Sequence, residues 1–159
     1  MKTILVKDVY QLHGTASISV TEEMPLEDII YRFAHEPAIR GAFLIDEEQR
    51  FAGIISRLAI IKWAEFQLFG KWKSGIPAAE ITNLVDTVKA KYLARGDWRS
   101  FGVKEWDTLE KAFNQMMMLG EDVIPVIDED GRIIGDLRLS EVLLKTIEVG
   151  KQLRENKRG

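Results

Sequence analysis

A chain of 159 residues with 46% apolar and 30% charged side chains has room for one domain or two small ones. Its formal charge of −3 offers polyanions no general attraction, so neither nucleic acid nor an acidic membrane surface is an expected partner. The absence of cysteine excludes disulfides, thiolate zinc sites and cysteine nucleophiles. No run approaches the roughly 18 apolar residues of a membrane span, and Met1 to Lys7 is too short and too soon charged for a signal peptide. The expectation is a soluble, cytoplasmic protein.

Thr3 to Tyr10 reads as a short lead-in, and Thr15 to Val20 alternates small polar residues with Ala16, Ile18 and Val20 in the manner of a half-buried strand. Pro25, Glu27 and Asp28 mark a helix start. Leu26, Ile29, Ile30, Phe33 and Ala34 then follow helical spacing up to Pro37. Arg40 to Asp46 and Arg50 to Ser56 form a hairpin. Leu58 to Phe69 predicts a helix with an apolar face broad enough to suggest burial on two sides, stopped by Gly70. Lys71 to Asp86 reads as a loop with a short helix. Arg99 to Val103 predicts a strand, and Thr108 to Leu119 a helix that opens on Thr-Leu-Glu and stops at Gly120. Val123 to Ile127 and Arg132 to Leu137 form a second hairpin around Asp128 to Gly131, where the glycine can take positive φ. Ser140 to about Gly150 is the last predicted helix, and Lys151 to Gly159 reads as a basic, solvated tail.

The second half repeats the first. Ala42 to Ser56 aligns with the second hairpin, placing Ile45 on Ile127, Asp46 on Asp128, Arg50 on Arg132 and Gly53 on Gly135, an offset of 82 residues. Val6, Lys7 and Tyr10 recur as Val88, Lys89 and Tyr92 at the same offset. The organisation is therefore two copies of one unit: residues 1–70, a linker over 71–86, residues 87–150, and the tail 151–159. Units this small are expected to share a core.

A strand-helix-strand-strand-helix unit in duplicate, with Ile124 to Gly135 in the second copy, resembles the cystathionine-β-synthase-type (CBS) domain pair over about Val6 to Val149. The resemblance implies an α+β fold of tandem βαββα repeats packed as a pseudo-twofold pair, with two clefts between them. It further implies an adenine nucleotide (AMP, ADP or ATP) or S-adenosylmethionine as regulatory ligand, and a homodimer formed through helices. The family's pattern after the turn is Gly, two apolar residues, Ser or Thr, then an Asp three residues on that grips the ribose. Here the first copy keeps Ser56 but has Ala59 in place of the acid, whereas the second has Arg138 and Glu141. By the same resemblance a ligand held by Glu141 meets Arg138, with Arg40, Gly41, Ala42 and the segment Thr15, Ala16 and Ser17 from the other copy. The second, weaker cleft comprises Ser56, Ser100, Val123 and Ile124, with Asp122 at the phosphate-facing place.

No catalytic constellation is visible, and the chain does not read as an enzyme. His13 and His35 have no metal-site spacing, and no Ser-His-acid order or phosphate-cradling loop occurs. Asp46 to Glu48 and Asp128 to Asp130 are solvated turn acids. Met116 to Met118 suits a helix core and dimer surface. The leading expectation is a stand-alone regulatory module that signals ligand occupancy through its dimer or a regulated protein. The alternative is a ligand-free oligomerisation or protein-interaction module, for which Ala59, Asp122 and Arg138 speak.

Overall fold

The computed structural model describes residues 3–10, 17–55, 57–69 and 102–159. In the first copy, β1 (Ser17–Thr21) buries Ile18 and Val20 and turns Ser19 and Thr21 outward, the period-2 pattern read from the sequence. It leads into α1 (Leu26–His35), whose first turn carries Glu27 and Asp28 at the positive end of the helix dipole. β2 (Gly41–Ile45) then pairs parallel with β1 and antiparallel with β3 (Phe51–Ile55), giving a sheet in the order β1-β2-β3. Leu26 and Ile29 of α1 close over Ile18, Val20, Ala42, Leu44 and Ile55, forming a small core that belongs to the first copy. α2 (Arg57–Phe69) follows.

The second copy keeps this order. α3 (Leu109–Leu119) is capped by Thr108, whose hydroxyl accepts from the Lys111 backbone N–H at 3.2 Å, and it ends on Gly120 at φ 65°. β4 (Val123–Ile127) and β5 (Ile133–Arg138) form the second hairpin, and α4 (Leu139–Arg158) ends the chain. Of the strand expected over Arg99 to Val103, the described part is one parallel bridge from Val103 to Val126. Gly102 makes that approach possible, because a Cβ there would stand 2.6 Å from Ile127 Cδ1. The linker 71–86 lies outside the described residues.

The two hairpin turns make matching hydrogen bonds. Asp46 Oδ1 accepts from the backbone N–H of Glu48 and Arg50, and Asp128 Oδ1 accepts from those of Asp130 and Arg132. The Arg50 backbone N–H, and with it the Arg50 guanidinium, holds the Asp46 carboxyl below the ordinary aspartate range. That contribution is present above the ordinary aspartate pKa and fades as pH falls through the lowered value. Both ladders also shift register at matching places, Leu44/Ile45 and Val126/Ile127.

Mates under the repeat meet each other, which happens only at a twofold axis. Arg50 forms an antiparallel bridge with Arg132, and the Phe51 N–H donates to the Gly131 carbonyl at 2.7 Å. At the other end of the strands a Cβ on Gly41 would lie 3.5 Å from Val123 Cβ. Between these points Phe43, Phe51 and Ile54 of the first copy pack with Val103, Val123, Ile124, Val126 and Leu137 of the second in one shared core. The lead-in joins the second copy rather than the first. Val6 and Val9 are fully buried in the shared core, Val6 N–H donates to Asp107 O at 2.9 Å, and Leu109 N–H donates to Ile4 O at 2.9 Å. Lys7 sits 3.7 Å above the Trp106 ring, and Tyr10 bonds Glu105.

Two sequence expectations need correction. The segment from Lys151 is not a frayed tail but the second half of α4, which runs on to Arg158. Its residues are mostly strong helix formers, its terminal Lys157 and Arg158 complement the helix dipole, and Gly150 costs only about 1 kcal/mol. Among the described residues the broad apolar face of α2 is not buried on two sides: Ile61, Leu68 and Phe69 are more than half exposed, Ile60 and Trp63 are partly buried, and Phe66 is buried.

Gln49 holds φ 66° where its mate Gly131 holds 84°, so the first turn carries a residue with a Cβ in left-handed space. Gln49→Gly is expected to raise the urea midpoint, by about 0.5–1 kcal/mol of stability, and Gly131→Ala to lower it by about 1 kcal/mol.

Candidate ligand-binding site

β5 delivers the site. Side chains two apart on a strand share a face, so Asp136 and Arg138 point one way while Leu137 points the other and is fully buried in the shared core. β5 then passes directly into α4, whose start is seated on the second copy by the Leu139 N–H donating to the Asp122 carbonyl at 2.8 Å. A cavity of about 340 Å³ opens at this corner, lined by Ala38 and Arg40 from the first copy and by Asp122, Val123, Arg138, Leu139, Ser140 and Leu143 from the second. It has the size and mixed lining of a small-ligand pocket.

Arg40 and Arg138 therefore line one cavity from different copies. Arg40 is exposed and makes no ion pair or hydrogen bond among the described residues. Arg138 donates from Nε to Glu141 Oε1 at 2.7 Å, and Glu141 is 1% exposed. Glu141 thus stands behind Arg138 rather than in the cavity wall. A buried carboxylate is tolerable only when charge-paired and hydrogen-bonded, and this one orients the guanidinium, leaving its two terminal nitrogens as donors.

The remaining expected residues divide. Thr15, Ala16, Ser56 and Ser100 lie outside the described residues. Ser17 is half-buried and donates from Oγ to Asp136 Oδ2 at 2.7 Å. Gly41 lies against Val123 and Phe43, leaving no side chain in the way. Ala42 is not a cavity residue, because on β2 it points into the first copy's own core and is fully buried. Ile124 is likewise a core residue at 0% exposure. Val123 and Asp122, read from the sequence as part of the weaker cleft, line the same cavity as Arg40 and Arg138. The reason is the axis, which passes where Gly41 meets its mate Val123. Sequence reasoning passed over Ser140, Leu143 and Asp136, although a carboxylate between Gly135 and Leu137, where the repeat has Ile54, was a legible signal. Among the described residues no group of three or more His, Asp or Glu is placed to hold a metal, and His35 is an exposed residue stacked on Tyr31 at 4.0 Å. No helix among them is long and apolar enough to cross a membrane.

Arg138→Met is expected to cost about 3 kcal/mol in urea unfolding, the low end for breaking a buried pair because Arg138 keeps some contact with water. Adding Glu141→Gln should recover part of that loss, a coupling that a double-mutant cycle reads directly.

Comparison with known proteins agrees with this architecture. The family model of the CBS domain matches residues 6–65. No curated protein sequence matches. Among solved structures, a CBS domain-containing protein from Thermotoga maritima is 27% identical, with a TM-score of 0.75 over 91% of this chain and 95% of its own. CBSX2, solved in complex with AMP, is 18% identical with a TM-score of 0.64, covering 92% of this chain and 98% of its own. A CBS domain pair solved with 5′-methylthioadenosine and S-adenosyl-L-methionine is 15% identical with a TM-score of 0.58, covering 94% and 99%. Residues 6–65 thus match the CBS domain family, and the chain, with its two βαββα-like units, has the fold of a CBS domain pair.

Proposed function

We propose that this chain is a regulatory module that binds an adenine nucleotide in the cavity between its copies. The observation that carries the reading is the convergence of Arg40 and Arg138, from different copies, at the first turn of α4. Two guanidiniums beside a helix N-terminus suit a phosphate, the helix contributing backbone N–H groups and positive dipole. The fold supports the same ligand class, since relatives of this architecture were solved with AMP and with S-adenosyl ligands. Between these classes the charge favours the nucleotide. S-adenosylmethionine carries a sulfonium and an ammonium against a single carboxylate and lacks a phosphate, so it would bring net positive charge to a corner already holding two arginines. Because the ligand would touch both copies, its occupancy favours the arrangement in which they are drawn together, and this is the signal a dimer or a regulated protein would read.

A second reading, a protein-interaction or oligomerisation module, has its own observation. Phe113, Met117 and Met118 on α3 and Leu143, Leu144 and Ile147 on α4 are 40–68% exposed. A homodimer through these helices is compatible with either reading.

Thermal unfolding with AMP, ADP, ATP and S-adenosylmethionine separates the two. At about 100 times Kd a ligand adds about 2.7 kcal/mol, which should raise the midpoint by roughly 5–10 °C. The expected result is a rise with at least one phosphorylated ligand and none with S-adenosylmethionine, and loss of the rise in Arg40→Ala. A flat response to all four would leave the interaction module as the function.

A further inference from the structure

Asp122 is the repeat mate of Arg40, at the same offset of 82 residues, and it carries the opposite charge. The next pair of mates, Gly41 and Val123, lie against each other at the axis. Arg40 and Asp122 are thereby brought to one cavity, a guanidinium from the first copy and a carboxylate from the second. The backbone of Asp122 is fixed there, because its carbonyl accepts from the Leu139 N–H at 2.8 Å, and its half-buried side chain stands at the start of α4.

The charges of this corner balance. Glu141 offsets Arg138 at 2.7 Å, which leaves Arg40 as the cation, and Asp122 faces the same space. The guanidinium N–H groups still point their donors at a single phosphate, since that geometry does not depend on the net charge. The corner holds no positive charge over for a second or third phosphate.

We infer that Asp122 sets the charge of the ligand, admitting a nucleoside monophosphate and disfavouring the di- and triphosphate. The inference rests on the nucleotide reading above and adds the residue that discriminates among phosphate chains. A phosphate monoester brings about −1.5 to −2 charge at neutral pH, and each further phosphate in the chain adds to it. A cavity of about 340 Å³ is roughly 9 Å across, so any phosphate beyond the one held by Arg40 and Arg138 lies within roughly 10 Å of Asp122. At that distance, near a protein surface, one unit of like charge weakens binding by on the order of tenfold.

The test is calorimetric titration of the full chain with AMP, ADP and ATP in EDTA, so that no divalent cation masks the phosphates. Wild type should bind AMP on the order of tenfold more tightly than ATP, with ADP between them. Asp122→Asn keeps the shape and the backbone carbonyl but removes the charge, and it should narrow the AMP-to-ATP ratio by about threefold or more, mainly through tighter ATP. A carboxylate that served only the dipole of α4 would alter stability on this substitution and leave the ratio alone. Should the variant fail to fold, wild type carries the test by itself: raising NaCl from about 0.05 to about 1 M screens the repulsion and should shrink the ratio severalfold. A ratio that ignores salt, or that survives intact in Asp122→Asn, or a wild type that binds ATP as tightly as AMP, overturns the inference while the nucleotide reading stands. If none of the three nucleotides binds, the nucleotide reading falls and takes this inference with it.

Discussion

The contact between mates across the pseudo-twofold axis is the constraint on which the rest of this structure depends. Neither copy's strands are covered on both faces by their own helices. Phe43 and Phe51, edge to face at 6.3 Å and 88°, together with Ile54, find their cover in Val123, Ile124, Val126 and Leu137 of the other copy. Burying side chains of this size is worth about 1.5–3 kcal/mol each. The pairing of Arg50 with Arg132 then sets the register of one copy on the other, and the lead-in adds Val6 and Val9 to the same core. Separating the copies would uncover all of these residues at once.

A symmetric backbone with asymmetric side chains is what gives the interface its chemistry. The repeat makes two equivalent corners, but at matching positions the first copy has Ile54, Ser56 and Ala59 and the second has Asp136, Arg138 and Glu141. Two of the buried carboxylates among the described residues are held by partners, Glu141 by Arg138 and Asp136 by Ser17. The proposed site is therefore a place where the fold's symmetry is given up for function. The shared core lies on the opposite face of β5, through Leu137, and is untouched by those changes.

The fold is largely legible in the sequence. The repeat at 82 residues, both hairpins, Thr108 as a cap and Gly120 as a stop all arise from local rules of periodicity and turn chemistry. The misreadings concern surfaces. The apolar breadth of α2 says how much surface wants burial, not whether this chain supplies the cover. Charge and solvation at the end of α4 resemble those of a frayed tail, but the same residues carry high helix propensity. The family pattern places Ala42 and Ile124 beside Arg40 and Arg138, yet both are core residues, whereas the two arginines line the cavity. A pattern gives position along a strand, and the face is decided by which sheet packs on it.

By itself the sequence determined the duplicated unit, its order of elements, the matching Asp46 and Asp128 turns and the chemical divergence between copies, because each is written in neighbouring residues. Only the tertiary structure decided that mates such as Gly41 and Val123 touch, so that Asp122 and Val123 join Arg40 and Arg138 on one cavity. It also decided that the lead-in completes the second copy's core, and that Ser17 reaches Asp136 from 119 residues away. Those contacts depend on how two sheets are rotated onto each other, and no local spacing in the chain encodes that rotation.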